Sequence, residues 1–220
     1  ENTNKAIELA FSKQKIEERK SWLRKYNREA VIPNDMKKIT FTDFIHKDLI
    51  HFSNYDNLRS IPVMIDGLKP SQRKVLYAGF KKNLQNDIKV SQFVGYISEH
   101  SAYHHGEMSL INTIIGMAQD FVGSNNINMY IPSGQFGTRL QGGKDHSSAR
   151  YIFTRLNKIA RLIFHPHDDP ILAYNEDDGM KVEPEFYVPI IPISLVNGAE
   201  GIGTGFSTFI PHFSAKEIIE

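Results

Sequence analysis

Four stretches of the sequence carry side chains whose types and spacing suit chemistry. In the first, Arg150 precedes Tyr151, with Lys144 and Arg155 close by. A phenol with an ordinary pKa of about 10 is a poor nucleophile at neutral pH, and becomes useful beside cations that stabilise phenolate and the charge developing on its target. The opposing reading is an ordinary strand tyrosine in a basic patch. In the second, Tyr103-His104-His105-Gly106-Glu107 sets two imidazoles at a predicted helix start, where side-chain donors and backbone N–H groups can face one oxyanion; a cap or a core contact is the alternative. The third, His165-Pro166-His167-Asp168-Asp169, crowds metal-ligand residue types. Its proline breaks any helical face and no second cluster completes a coordination sphere, so it reads as a solvated acidic turn and no metal site is expected. The fourth, Gly198 to Gly205, packs four glycines into eight residues. It fails as a dinucleotide loop, because Phe206 stands where the third glycine belongs, and reads as a set of tight turns.

The elements that must position these residues follow from periodicity. In residues 4–29, Ile7, Ala10 and Phe11 keep helical spacing and Trp22 and Tyr26 lie four apart, predicting one amphipathic helix or a pair that ends before Val31-Ile32-Pro33. Thr42 is expected to cap a helix through Phe44, Ile45, Leu49 and Phe52. A turn-rich stretch from Arg59 feeds a helix at Pro70 whose Val75, Leu76 and Phe80 share a buried face, leaving Arg73 and Lys74 in or near solvent. Another helix opens near Gly106, with Met108, Ile111, Ile114 and Ile115 on its apolar side. Ile127, Met129 and Ile131 alternate with Asn128 and Tyr130 as in a strand, and two glycine-bearing loops, Pro132 to Gly137 and Gln141 to Asp145, follow. The segment from Arg150 begins extended and turns helical at Leu156, Ile159, Ala160 and Ile163. Tyr187 to Ile193 is strand-like, but its prolines confine it to an edge or a bulge. The fold class read from this order is α+β and helix-rich.

Composition narrows the chemistry further. Among 220 residues there is no cysteine, which excludes disulfides, thiolate metal sites and a cysteine nucleophile. No run approaches 18 consecutive apolar residues, and residues 1–30 are charged and helix-patterned rather than signal-like, so the expectation is a soluble intracellular protein, or a fragment of one, with no membrane partner. The formal net charge of +1 hides strong segregation. Arg59 to Leu84 holds six basic residues against Asp66 alone, and Phe136 to Phe164 six against Asp145 alone. His165 to Glu185 then holds seven acidic residues against Lys181. Two surfaces are therefore suited to an anion.

Several motifs occur here in an order that resembles the eukaryotic-type type IIA DNA topoisomerases. They are Asp66-Gly67-Leu68-Lys69-Pro70-Ser71-Gln72-Arg73, Tyr103-His104-His105-Gly106-Glu107, Gly134-Gln135-Phe136-Gly137-Thr138-Arg139, Gly142-Gly143-Lys144-Asp145 through Arg150-Tyr151, and Asn197 through Gly205. The opening helix, with Arg19-Lys20-Ser21-Trp22-Leu23, is also similar, so the resemblance covers nearly the whole chain.

The resemblance implies a part of the breakage-reunion core: a helical connector over residues 1–51, a winged-helix domain bearing the nucleophile over 52–192, and the start of a tower domain over 193–220. It implies that Tyr151 attacks a DNA phosphodiester and is joined to the 5′ phosphate, that Arg150 stabilises the transferring phosphate, and that His105 donates a hydrogen bond near it, with His104 beside it. Arg59, Lys69, Arg73 and Lys144 match basic residues of the DNA surface, and Ile202 an isoleucine that wedges between base pairs. Double-stranded DNA is the implied partner, in a homodimeric, ATP-dependent nuclear enzyme whose Mg²⁺ and ATP are bound by domains outside this chain. Two other readings stand beside it: a non-catalytic winged-helix DNA-binding module, and a scaffold whose basic faces meet the acidic segment of a second copy.

Overall fold

The computed structural model describes residues 2–220. The backbone divides into two compact units, one running to Ile61 and taking in Glu200–Thr208, the other made of Pro62–Ala199 and Phe209–Glu220.

The first unit begins with the expected helix pair, α1 (Asn2–Phe11) and α2 (Ile16–Arg24), joined by a 3₁₀ turn at Lys13–Lys15. Arg19 closes the corner between them. Its Nε donates to the Leu9 carbonyl at 3.0 Å and its Nη2 to the Ser12 carbonyl at 2.7 Å, satisfying acceptors left over where α1 ends. The next rod runs through α3 (Phe41–Phe44), a π-helical turn at Ile45–Leu49 and α4 (Ile50–Ser60). Its cap is Thr40 rather than Thr42. Thr40 has extended backbone (φ −78°, ψ 154°), its Oγ1 accepts the Asp43 N–H and its hydroxyl donates to the Asp43 carboxylate, whereas Thr42 already lies inside the helix.

The second unit holds α5 (Pro70–Lys82), β1 (Ile88–Lys89), α6 (Val90–Ser101), α7 (Glu107–Ala118), β2 (Tyr130–Ser133) and β3 (Phe153–Leu156). The strands form one antiparallel sheet in the order β1-β3-β2, with Ile88 opposite Thr154 and Tyr130 opposite Leu156. Val75, Leu76, Phe93, Ile97, Leu110 and Ile114 fill the core between the three helices and this sheet. Three helices on a three-stranded antiparallel sheet make a winged-helix arrangement. Pro132 sits in β2, an edge strand, where its missing N–H is tolerated.

Beyond β3 come α8 (Ala160–Ile163), a 3₁₀ segment at Pro166–Ile171, the hairpin of β4 (Tyr174–Asp177) and β5 (Met180–Pro184), and α9 (Ile193–Val196). A last hairpin, β6 (Ala199–Ile202) with β7 (Ser207–Ile210), precedes α10 (Ala215–Ile219). The whole is α+β, as the sequence predicts.

Besides the cap, four local expectations are corrected. Arg73 is buried, because Asp66 draws its guanidinium inward, and Lys74 is half-buried through an ion pair to Glu183 at 2.8 Å. Met108 is exposed, and Leu110 takes the buried position on the first turn of α7. Tyr130 is fully buried rather than outward, since its hydroxyl finds the Val75 carbonyl at 2.7 Å over Gly79. Tyr187 to Pro192 is irregular chain rather than strand, its prolines withholding ladder donors.

Candidate functional site

Tyr151 lies in a turn just before β3, closed by its own N–H to the Ser148 carbonyl at 2.9 Å. The side chain is 67% exposed, while Ala149 and Ile152 on either side of the pair Arg150-Tyr151 are buried. Both buried neighbours are fastened to the start of α6: the Ser91 N–H donates to the Ala149 carbonyl at 3.2 Å and the Val90 N–H to the Ile152 carbonyl at 3.0 Å. A rigid base thus presents one exposed phenol. The Arg150 guanidinium lies 5.2 Å from the centre of the Tyr151 ring, so a fixed positive charge stands at the phenol.

The two glycine-bearing loops precede this turn in sequence and cross one another closely. A Cβ on Gly137 would stand 2.5 Å from the Gly143 carbonyl oxygen, so only glycine allows the approach, and both residues have positive φ. Asp145, the single acid of the second basic segment, is absorbed locally. It accepts the Thr138 N–H and the Thr138 hydroxyl, each at 2.8 Å, and these bonds hold its carboxyl below the usual range. The flanking Lys144 is exposed. The Ser147 N–H donates to the Gln135 carbonyl at 2.9 Å, linking the loop pair to the residues before Tyr151.

At the start of α7, Gly106 is the cap and offers no side chain. His105 is exposed and meets the Tyr103 ring edge-on at 5.4 Å; His104 is exposed and reaches the Asp177 carboxylate at 3.3 Å. Lys69 caps α5 through its backbone, with its N–H held by the Gln72 side chain at 2.9 Å, and is half-buried. Arg73 is committed elsewhere. Asp66 Oδ2 accepts its Nε at 2.8 Å and the Tyr187 N–H at 2.9 Å, Asp66 Oδ1 accepts its Nη2 and the Leu68 N–H, each at 3.0 Å, and Arg73 Nη2 also donates to the Leu68 carbonyl at 2.9 Å. With 0% of Asp66 and 3% of Arg73 exposed, the pair moulds the Ile65–Lys69 turn.

In the first unit, Arg59 lies over the rings of Phe52 and Tyr55 and pairs with Asp56 at 3.0 Å. The other Asp56 oxygen accepts the Thr204 hydroxyl at 3.1 Å, and Asn57 Nδ2 donates to the Thr204 carbonyl at 3.0 Å. A Cβ on Gly203 would collide with Asn57 Oδ1 at 2.1 Å, so glycine lets the turn lie on α4. Ile202, at the end of β6, is 75% exposed. One carboxylate therefore ties the cation of Arg59 to the turn that carries an exposed apolar side chain.

The structure thus joins Arg150 to Tyr151, and Arg59 to the turn bearing Ile202. Sequence reading missed Asp56, Asp66 and Asp177, each the partner of a predicted cation or imidazole; a lone acid inside a basic run was the available signal for Asp66. Among the described residues no group of three or more histidine, cysteine, aspartate or glutamate side chains forms a metal-holding set, and no helix is long and apolar enough to cross a membrane.

Residues 59–220 match the family model of the A-type subunit of DNA gyrase/topoisomerase IV, and residues 1–57 that of the C-terminal associated domain of TOPRIM. The chain is similar to DNA topoisomerase 2 of Saccharomyces cerevisiae and to DNA topoisomerase 2 of Arabidopsis thaliana, 58% identical to each over 219 residues. All of this chain is covered in both, against 15% of each relative's length. Among solved structures it is similar to the Plasmodium falciparum topoisomerase II DNA-binding, cleavage and re-ligation domain, with a TM-score of 0.85 and 57% identity over 99% of this chain and 30% of that one.

Proposed function

Since the chain belongs to the DNA gyrase/topoisomerase IV family, among its eukaryotic-type type IIA members, we propose that it binds duplex DNA and supplies the tyrosine nucleophile of a type II DNA topoisomerase. The observation that carries this reading is the exposed Tyr151 phenol on a turn anchored at both sides, with the Arg150 guanidinium at its ring.

Tyr151 Oη attacks the phosphorus of a DNA phosphodiester, its proton passing to solvent. The Oη–P bond forms, the P–O3′ bond breaks, and the leaving 3′ oxygen takes up a proton. The 5′ phosphate stays on the tyrosine as an ester of similar energy to the bond it replaced, so the reverse step needs no nucleotide hydrolysis. Arg150 is the catalytic residue that stabilises charge on the non-bridging oxygens, worth most where water is excluded by bound DNA. His105, with His104 beside it, donates to the same phosphate or its neighbour. Lys69, Lys144 and Arg59 hold flanking phosphates and set register without reading sequence. Arg73, enclosed with Asp66, shapes the turn before α5 instead of touching DNA. Ile202 inserts between base pairs at a cost of roughly a few kcal/mol per unstacked step, offset by the added contacts of bent DNA.

In this proposal residues 1–51 are a helical connector, 52–192 the winged-helix domain and 193–220 the start of a tower domain. The active assembly is a nuclear homodimer that uses ATP and Mg²⁺. The described residues gather no group of three or more histidine, cysteine, aspartate or glutamate side chains that would hold Mg²⁺.

The test places this chain in the Saccharomyces cerevisiae relative in place of its matching 219 residues. The chimera should form a denaturant-stable DNA adduct that Tyr151→Phe abolishes. An undiminished adduct in Tyr151→Phe overturns the reading.

A further inference from the structure

Gln119 stands just past the last turn of α7. Its backbone has left the helix (φ −58°, ψ 133°), while its N–H still reaches the Ile115 carbonyl and its own carbonyl accepts Asn125 Nδ2 at 2.8 Å. The residue is therefore fixed at its backbone from both directions. Its half-buried side-chain amide donates to the Phe136 carbonyl at 2.8 Å and to the Gly143 carbonyl at 3.2 Å, one acceptor in each glycine-bearing loop. Two carbonyls facing one group require a donor with two hydrogens, which the glutamine NH₂ supplies and no acid or thioether of similar length can. The fit is close: a Cβ on Gly143 would stand 2.3 Å from Gln119 Nε2.

From this crossing a short chain of contacts leads to the nucleophile. The Gly143 N–H donates to the Thr138 carbonyl at 2.8 Å and the Ser147 N–H to the Gln135 carbonyl at 2.9 Å; the Tyr151 N–H then donates to the Ser148 carbonyl at 2.9 Å. Gly134 presses on the other side, its Cβ position 3.1 Å from Ile152 Cγ2. Opposite Gln119, at the far end of the twelve-residue α7, lie Gly106 and His105.

We infer that Gln119 is a positioning residue for the DNA cleavage step: by clamping both loops to the end of α7 it sets where Tyr151 stands relative to DNA seated at the start of that helix. The inference rests on the reading of Tyr151 as nucleophile. It goes beyond that reading in assigning a role to a side chain that touches neither DNA nor the reacting atoms. A small displacement of a reacting group is enough to slow a reaction a hundredfold, so loss of the clamp acts on the rate of the step and not on affinity.

The experiment uses the same yeast chimera with Gln119→Met, which fills a similar volume without donors, and Gln119→Glu, which puts an anion against the two carbonyls. Adduct formation is followed at saturating and at limiting DNA, beside Tyr151→Phe, and thermal unfolding of each 220-residue variant is recorded. The expected result is a fall of about tenfold or more in the maximal rate for Met and a larger fall for Glu, with the half-saturating DNA concentration changed less than about twofold. A Met variant at wild-type rate, or losses appearing only as weaker DNA binding, overturns the inference while leaving Tyr151 in place. An adduct that survives Tyr151→Phe overturns the reading beneath it instead. Should the Glu variant unfold, the Met variant alone decides, since it places no charge against the carbonyls.

Discussion

Replacing Asp66 by alanine should destabilise the second unit by about 3–5 kcal/mol. The carboxylate accepts four hydrogen bonds, two from Arg73 and one each from the Leu68 and Tyr187 N–H groups, and none of it reaches water. Its removal leaves a guanidinium that is 3% exposed without its counter-charge, the costly way to break a buried pair, at about 3–5 kcal/mol. Two further N–H groups lose their acceptor, at about 1–3 kcal/mol each if they stay dry; water entering the space left by the carboxylate brings the sum back toward the pair value. For a chain of this size about 2–4 °C is lost per kcal/mol, so the unfolding midpoint should fall by about 6–20 °C. Urea and thermal unfolding followed by circular dichroism read the change. The double variant Asp66→Leu with Arg73→Met should be more stable than either single variant, since it removes both buried charges. A loss below about 1 kcal/mol in Asp66→Ala, or a double variant as weak as the sum of the singles, would refute the argument that this pair is closed to solvent and holds the turn before α5.

Three further outcomes follow from the same geometry. Lys144→Ala should weaken DNA binding and reduce the slope of log affinity against log salt by about 1, whereas Arg73→Met, although it destabilises the fold, should leave the slope unchanged; equal slopes for both variants would contradict the placement of the two cations. Ile202→Ala should reduce the bend angle of bound duplex, read by energy transfer between end-labelled strands, and an unchanged bend would remove the wedge. Burial raises the Tyr130 and Tyr187 phenols above their ordinary value of 10.0. The unfolded chain then releases protons that the folded chain keeps, so this stability is complete below pH 10 and is lost as pH rises beyond it. Tyr187→Phe should flatten that alkaline decline in a stability-against-pH series, and an equally steep decline would show that other groups govern it.

What could be read from the sequence was local in origin. Pro70 announced α5 because a proline at the first helical position carries its own signal, and the opening helix pair followed from spacing alone. The cap two residues early is also local: Thr40 and Thr42 both stand at the head of the run through Phe44 and Ile45, and only Thr40 has an acid, Asp43, three positions on to complete the exchange of hydrogen bonds. The β4–β5 hairpin was hidden by its acidic composition. Its turn signal was nonetheless present as Asp178-Gly179, both with positive φ, the pairing that two-residue hairpin turns require. Arg73 was misplaced for a different reason. Helical periodicity puts it beside Lys74 on a polar face; Asp66, the lone acid of the same basic run, was the one local signal, and the Tyr187 N–H that shares its carboxylate arrives from 121 residues away. Of the site, residue types and order pointed to Tyr151, Arg150 and the paired histidines, and the i,i+3 spacing of Asp56 and Arg59 was readable on a helix, whereas the contacts of Asp56 with Thr204 and of Gln119 with the two loops depend on tertiary folding and left no pattern in the chain.

The central claim is that Tyr151 becomes covalently joined to DNA. In the yeast chimera, nuclease digestion of the trapped adduct followed by peptide mass spectrometry reads the attachment point directly. The account predicts a nucleotide linked through its 5′ phosphate to Tyr151, in the peptide that begins after Arg150. A nucleotide attached to any other residue of this chain, or an adduct mapping outside it, would contradict the account.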